Sequence, residues 1–163
     1  MSKAIKLIIS VVSCLAIGNL GTLFTVPNIA TWYATLTKPS FNPPNWIFAP
    51  VWTTLFILMG ISLFLIWNSQ KKDKNRKAFF VVFIINLILN VLWSLIFFGL
   101  HMTGLAFLEV ILLALSIIIL MVLSWKISKA AAFLLAPYLL WVCFASFLNY
   151  NLWILNSGSI FTK

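Results

Sequence analysis

The chain has 163 residues, 63% of them apolar and 8% charged, with a mean hydropathy of +1.11. A soluble domain is about a quarter charged, so these figures exclude one and point to a single membrane-embedded domain over residues 1–163. The net charge of +9 does not indicate nucleic-acid binding, because the cations sit in gaps between apolar runs and form no basic stripe on a soluble fold.

Five stretches approach the length of about 20 mostly apolar residues that a membrane helix needs: 7–23, 46–67, 78–100, 104–125 and 130–155. They are too long for strands and lack two-residue alternation, so an all-α bundle of five transmembrane helices is predicted. Short links make neighbouring helices antiparallel; the one long connection is 24–45. Lys3, Lys6, Lys71, Lys72, Lys74, Arg76, Lys77, Lys126 and Lys129 fall on one side, and Lys38 and Lys163 on the other. That bias puts the N-terminus in the cytoplasm and the C-terminus outside, as in a bacterial plasma membrane. The basic run at 71–77 reads chiefly as a topology signal and secondarily as a site for anionic lipid.

Cys14 and Cys143 lie inside apolar runs without a CxxC partner and read as small buried apolar residues. The short apolar stretch before Cys14 reads as an uncleaved first span, not a lipoprotein signal. His101 is the only histidine and has no cluster of acids or cysteines for company, so neither a metal nor a cofactor is expected. Asp73 and His101 fall on opposite sides, which argues against a Ser/His/Asp arrangement.

Polar and aromatic residues inside the spans carry the functional signal. Trp52, Phe56 and Gly60 share one face of the second span, Asn86, Asn90 and Trp93 one face of the third, and Trp141, Ala145 and Asn149 one face of the fifth. Buried asparagines can simply join helices, yet three such stripes together suggest a shared pocket. Glu109 is the only acid within a span; a carboxylate there usually faces a cavity or a partner. Depth along the antiparallel spans brings these groups together beneath the long connection. That connection holds KPSFNPPNWIFAP, whose prolines restrict the chain and lower the entropy lost on closing. It reads as a stiff lid, with Trp32, Tyr33 and Phe41 roofing the pocket. Either Asn45 caps a helix that Pro50 kinks after its first turn, or Pro50 is itself the first helical residue.

The pattern Trp32-Tyr33-x-x-Leu36-x-Lys38-Pro39-Ser40-x-x-Pro43-Pro44-x-Trp46-x-Phe48-x-Pro50-Val51-Trp52-Thr53 resembles the TspO/MBR family of tryptophan-rich sensory proteins and mitochondrial translocator proteins. Asn86-x-x-x-Asn90-x-x-Trp93, Leu105-Ala106-x-x-Glu109 and Pro137-Tyr138-Leu139-x-Trp141-x-x-Phe144-Ala145-x-x-Leu148-Asn149 follow in order, so the likeness covers residues 30–155. The resemblance implies a five-helix membrane protein, often a homodimer, that binds porphyrins and other tetrapyrroles in a sensory or regulatory role. It implies pocket residues at Tyr33, Pro44, Trp52, Phe56, Asn90, Trp93, Trp141 and Ala145, to which the stripes add Asn86 and Asn149, and the lone acid within a span adds Glu109. Light-dependent porphyrin degradation, with Trp52 and Trp141 as the candidate catalytic residues, and transport of tetrapyrroles or sterols are the alternatives it brings. No cation follows Tyr150 until Lys163, which departs from the family's sterol-recognition pattern. Phe41 stands where many relatives have tryptophan.

Overall fold

The computed structural model describes residues 1–70 and 74–156. Lys71, Lys72, Asp73 and Lys163, which entered the charge and catalytic arguments above, lie outside the described residues. Five helices are long and apolar enough to cross a membrane: α1 (Lys3–Ile29), α3 (Phe48–Asn68), α4 (Lys74–Ser94), α5 (Thr103–Trp125) and α6 (Lys129–Asn156), with a single-turn α2 (Trp32–Thr35) between the first two. No strand occurs among the described residues. The helices close into a ring in the order α1, α3, α6, α5, α4 and back to α1.

Two boundaries that shape the site differ from the sequence reading. Helix α1 continues six residues beyond Leu23, to Ile29, through Pro27. Its Asn and Thr side chains resemble loop residues in the sequence, but they bond to carbonyls of their own helix: Asn19 Nδ2 to Leu15 (2.9 Å), Thr25 Oγ1 to Gly21 (3.0 Å) and Asn28 Nδ2 to Phe24 (2.8 Å). The connection over the bundle is correspondingly shorter. Asn45–Ile47 forms one 3₁₀ turn before α3 begins at Phe48, with no side-chain cap. Pro50 therefore sits in the first turn of α3, where its missing N–H has no helical partner to lose.

Helix α4 ends in a π-helical turn, Leu95–Gly99, in which the Leu100 N–H reaches back to the Leu95 carbonyl (2.8 Å). The widened turn lets the consecutive Phe97 and Phe98 both point inward and pack edge to face, centroids 4.8 Å apart. His101, at φ 59°, ends the helix in the left-handed conformation, and the Met102 N–H returns to the Ile96 carbonyl (3.1 Å).

Two contacts seat α3 against its neighbours in the ring. Gly60 meets the backbone of α1: a Cβ there would stand 2.6 Å from Val11 Cα. Only glycine permits this approach, so Gly60 departs from the Trp52–Phe56 stripe and serves helix packing. The Ser62 hydroxyl donates to the Ala131 carbonyl (2.9 Å), joining α3 to α6. Cys14 is buried as expected, whereas Cys143 is exposed on the outer face of α6, where the surrounding solvent is hydrocarbon.

Candidate ligand pocket

The ring encloses a cavity of about 270 Å³ at the end of the bundle that carries α2 and the proline-rich strap. Its walls come from the C-terminal halves of α1, α4 and α6, from the first turns of α3 and from Tyr33.

Trp52 stacks on Phe56 (centroids 5.7 Å, planes 28° apart) and meets Tyr138 edge-on. Trp93 stacks on Phe97 (5.1 Å, 18°), and its indole N–H donates to Asn149 Oδ1 at 3.1 Å. Asn149 in turn donates to the Thr103 carbonyl at 2.7 Å, which orients its amide and holds Trp93 in place. Trp141 packs edge-on against Phe48, centroids 6.0 Å apart. Asn90 Nδ2 donates to the Tyr138 hydroxyl at 3.1 Å.

Tyr33, Trp52, Phe56, Asn90, Trp93, Trp141, Ala145 and Asn149 all line this one cavity. Pro44, Asn86 and Glu109 do not. Pro44 belongs to the strap beside Asn45, which does line it. Asn86 lies behind the wall, donating to Ser116 Oγ (2.8 Å) and accepting from Tyr138 (3.3 Å). Glu109 is 5% exposed on α5, a helix that contributes no wall, and neither carboxylate oxygen has a hydrogen-bond partner among the described residues.

Helix α1 supplies a wall that the sequence reading did not assign. Gly18, Gly21, Thr22 and Thr25 line the cavity. Their i, i+3, i+4, i+7 spacing is the available signal, but small residues with no aromatic among them read as helix packing.

The roof is narrower than expected. Tyr33 closes the cavity, with its hydroxyl donating to Asn42 Oδ1 (2.8 Å) and Lys38 Nζ 4.7 Å from its ring centroid. Burial pushes the Tyr33 phenol up to about 12. Trp32 and Phe41 brace the strap from outside the cavity. Trp32 lies flat on His101 (4.2 Å, 12°), and Phe41 stacks on Phe147 (5.1 Å, 19°).

The family model described as TspO/MBR matches residues 10–154, nearly the whole of this ring. The chain belongs to the TspO/MBR family. Among relatives, it is 43% identical over 154 residues to the tryptophan-rich protein TspO of Archaeoglobus fulgidus, covering 94% of this chain and 98% of that one. It is 44% identical over 144 residues to the protein of the same name from Chlorobaculum tepidum, covering 88% and 90%. It is 37% identical over 128 residues to the human translocator protein, covering 78% and 76%. As a TspO/MBR family member with five spanning helices, the chain is an integral membrane protein.

Proposed function

We propose that the cavity binds a flat, largely apolar aromatic ligand of the tetrapyrrole class and that occupancy itself is the protein's output, in a sensory or regulatory role. One observation carries this reading. Tyr33, Trp52, Trp93 and Trp141 come from four separate elements and meet on a single apolar cavity. Aromatic faces recognise a planar ring system by offset and edge-on stacking, and an apolar cavity with few polar groups is the usual form of a small-molecule site.

Size refines the proposal. Ligand pockets are commonly about 300–1,000 Å³, so a cavity of about 270 Å³ holds a small tricycle whole. A tetrapyrrole is larger and enters with the strap lifted or with its polar edge left at the mouth. In the bound state Trp52, Phe56, Trp93, Trp141 and Ala145 contact the macrocycle, while Asn149 acts by holding Trp93.

A second reading is favoured by the presence of both Trp52 and Trp141 in the wall: light-driven oxidative breakdown of a bound porphyrin, with molecular oxygen as oxidant. Illumination of purified protein with protoporphyrin IX in air separates the two. A bound spectrum that persists supports sensing. Bleaching that requires both Trp52 and Trp141, tested as phenylalanine variants, supports degradation.

The cations also favour an orientation. Lys3, Lys6, Lys74, Arg76, Lys77, Lys126 and Lys129 lie at the end opposite the strap, which carries Lys38. We propose that the strap and pocket open toward the extracytoplasmic side, with the N-terminus in the cytoplasm.

A further inference from the structure

A chain of hydrogen bonds runs behind the pocket wall, and its direction is fixed at the far end. The Ser116 hydroxyl donates to the Leu113 carbonyl (2.7 Å), an acceptor with no proton to give. Ser116 Oγ therefore accepts, and Asn86 Nδ2 donates to it (2.8 Å). That orients the Asn86 amide, whose Oδ1 accepts the Tyr138 proton (3.3 Å). The phenol has then spent its one proton, so its oxygen accepts from Asn90 Nδ2 (3.1 Å). The last atom in the sequence, Asn90 Oδ1, has no partner among the described residues. Asn90 keeps 8% of its surface and lines the cavity.

Reversal of the chain is possible and is worse. Ser116 would leave Leu113 for Asn86 Oδ1, and both amides would turn over. Three hydrogen bonds would replace four, in a bundle interior where an unmade bond is costly.

We infer that Ser116, Asn86 and Tyr138 are positioning residues that present Asn90 Oδ1 to the cavity as a hydrogen-bond acceptor, so that the pocket selects aromatic ligands carrying an N–H or O–H donor over isosteres carrying an acceptor. Ser94 and Trp141, two of the wall's other polar residues, do not impose this choice. Ser94, one turn along α4 from Asn90, has a hydroxyl that rotates to suit either partner. The Trp141 indole nitrogen lacks a partner but is itself covered. The inference rests on the proposed reading of the cavity as a site for planar aromatic molecules. It adds a chemical requirement: the N–H of a ligand is recognised, and a carboxylate or ring oxygen is turned away from Asn90.

Three planar tricycles of the same outline test it: carbazole (N–H), dibenzofuran (ring oxygen) and fluorene (CH₂). Their affinities for the full chain in lipid nanodiscs are read by tryptophan fluorescence quenching, corrected with empty nanodiscs. The wild type is expected to bind carbazole at least about tenfold more tightly than dibenzofuran, the worth of one well-placed hydrogen bond in a dry site. Ser116→Ala removes one oxygen away from the cavity and frees the amides to turn. It is expected to bring the ratio to about twofold or less while carbazole still binds, and Tyr138→Phe should do the same. A purely structural role for Ser116 would shift all three affinities together and leave the ratio alone. Equal wild-type affinities, or a ratio that survives Ser116→Ala, would overturn the inference and leave the pocket reading standing. Binding of none of the three would overturn both.

Discussion

Asn156 grips the peptide of Thr37 on both sides: the Thr37 N–H donates to its Oδ1 at 2.9 Å, and its Nδ2 donates to the Thr37 carbonyl at 3.0 Å. The last residue of α6 thereby fastens the strap across the cavity mouth, 119 positions away in the chain. Each exposed bond contributes about 0.5–1.5 kcal/mol, enough to hold a latch and little enough to open it. Asn156→Ala should raise both the association and dissociation rates of protoporphyrin IX several-fold and change the equilibrium affinity much less. Stopped-flow fluorescence checks this. A slower or unchanged dissociation rate would mean that the strap does not gate the cavity.

Gly18 sets the shape of the α1 wall. A Cβ at Gly18 would overlap the end of the Phe56 ring, and a ring displaced from there has the cavity to move into. Gly18→Ala should weaken binding of a tricyclic ligand about tenfold, in line with the ~1–3 kcal/mol that overpacking costs. Titration in nanodiscs reads the effect; unchanged affinity would place Phe56 outside the ligand's path.

Tyr33 gives the roof a dependence on alkaline pH. Its phenol is raised from 10.0 to about 12 by burial. A raised folded-state value means that the stabilisation is complete below pH 10 and is lost as the pH climbs through 12, because the unfolded chain releases its proton first. Between those values the melting temperature of the wild type should fall more steeply than that of Tyr33→Phe. Parallel slopes would contradict the assignment.

Glu109 is the polar group with no evident task. A buried carboxyl without a hydrogen-bond partner is a cost in hydrocarbon surroundings. Glu109→Met, of similar shape, is expected to raise the thermal midpoint by a few degrees and to leave porphyrin affinity within about twofold. A loss of affinity of tenfold or more would give Glu109 a functional role that its position behind the wall does not suggest.

The spans were legible because hydrocarbon admits few solutions: a long apolar run must be a helix. Trp52, Asn90, Trp93 and Trp141 were legible as one group because helical spacing and antiparallel depth together carry each to the strap end. Three features were not. The end of α1 was hidden because a threonine or asparagine bonded to its own helix looks, in a sequence, like one in a loop. Its share of the wall was hidden because a cavity wall of glycine and threonine has the same composition as a close helix contact. Asn86 and Glu109 show the third limit. Periodicity tells which face of a helix is buried, but not whether that face meets a cavity or another helix. Asn86 shares a face with Asn90, yet one turn of depth puts it against Ser116 and out of the pocket.

The most direct test of the cavity as a ligand site is to fill it. Ala145 lines the cavity, and Leu112 is exposed on the outer face of α5. Protoporphyrin IX affinity should be measured for Ala145→Phe and for Leu112→Phe in the same nanodiscs. A loss of at least about tenfold is expected for the first, equivalent to ~1.4 kcal/mol, and no change for the second. Equal affinities for wild type and Ala145→Phe would contradict it.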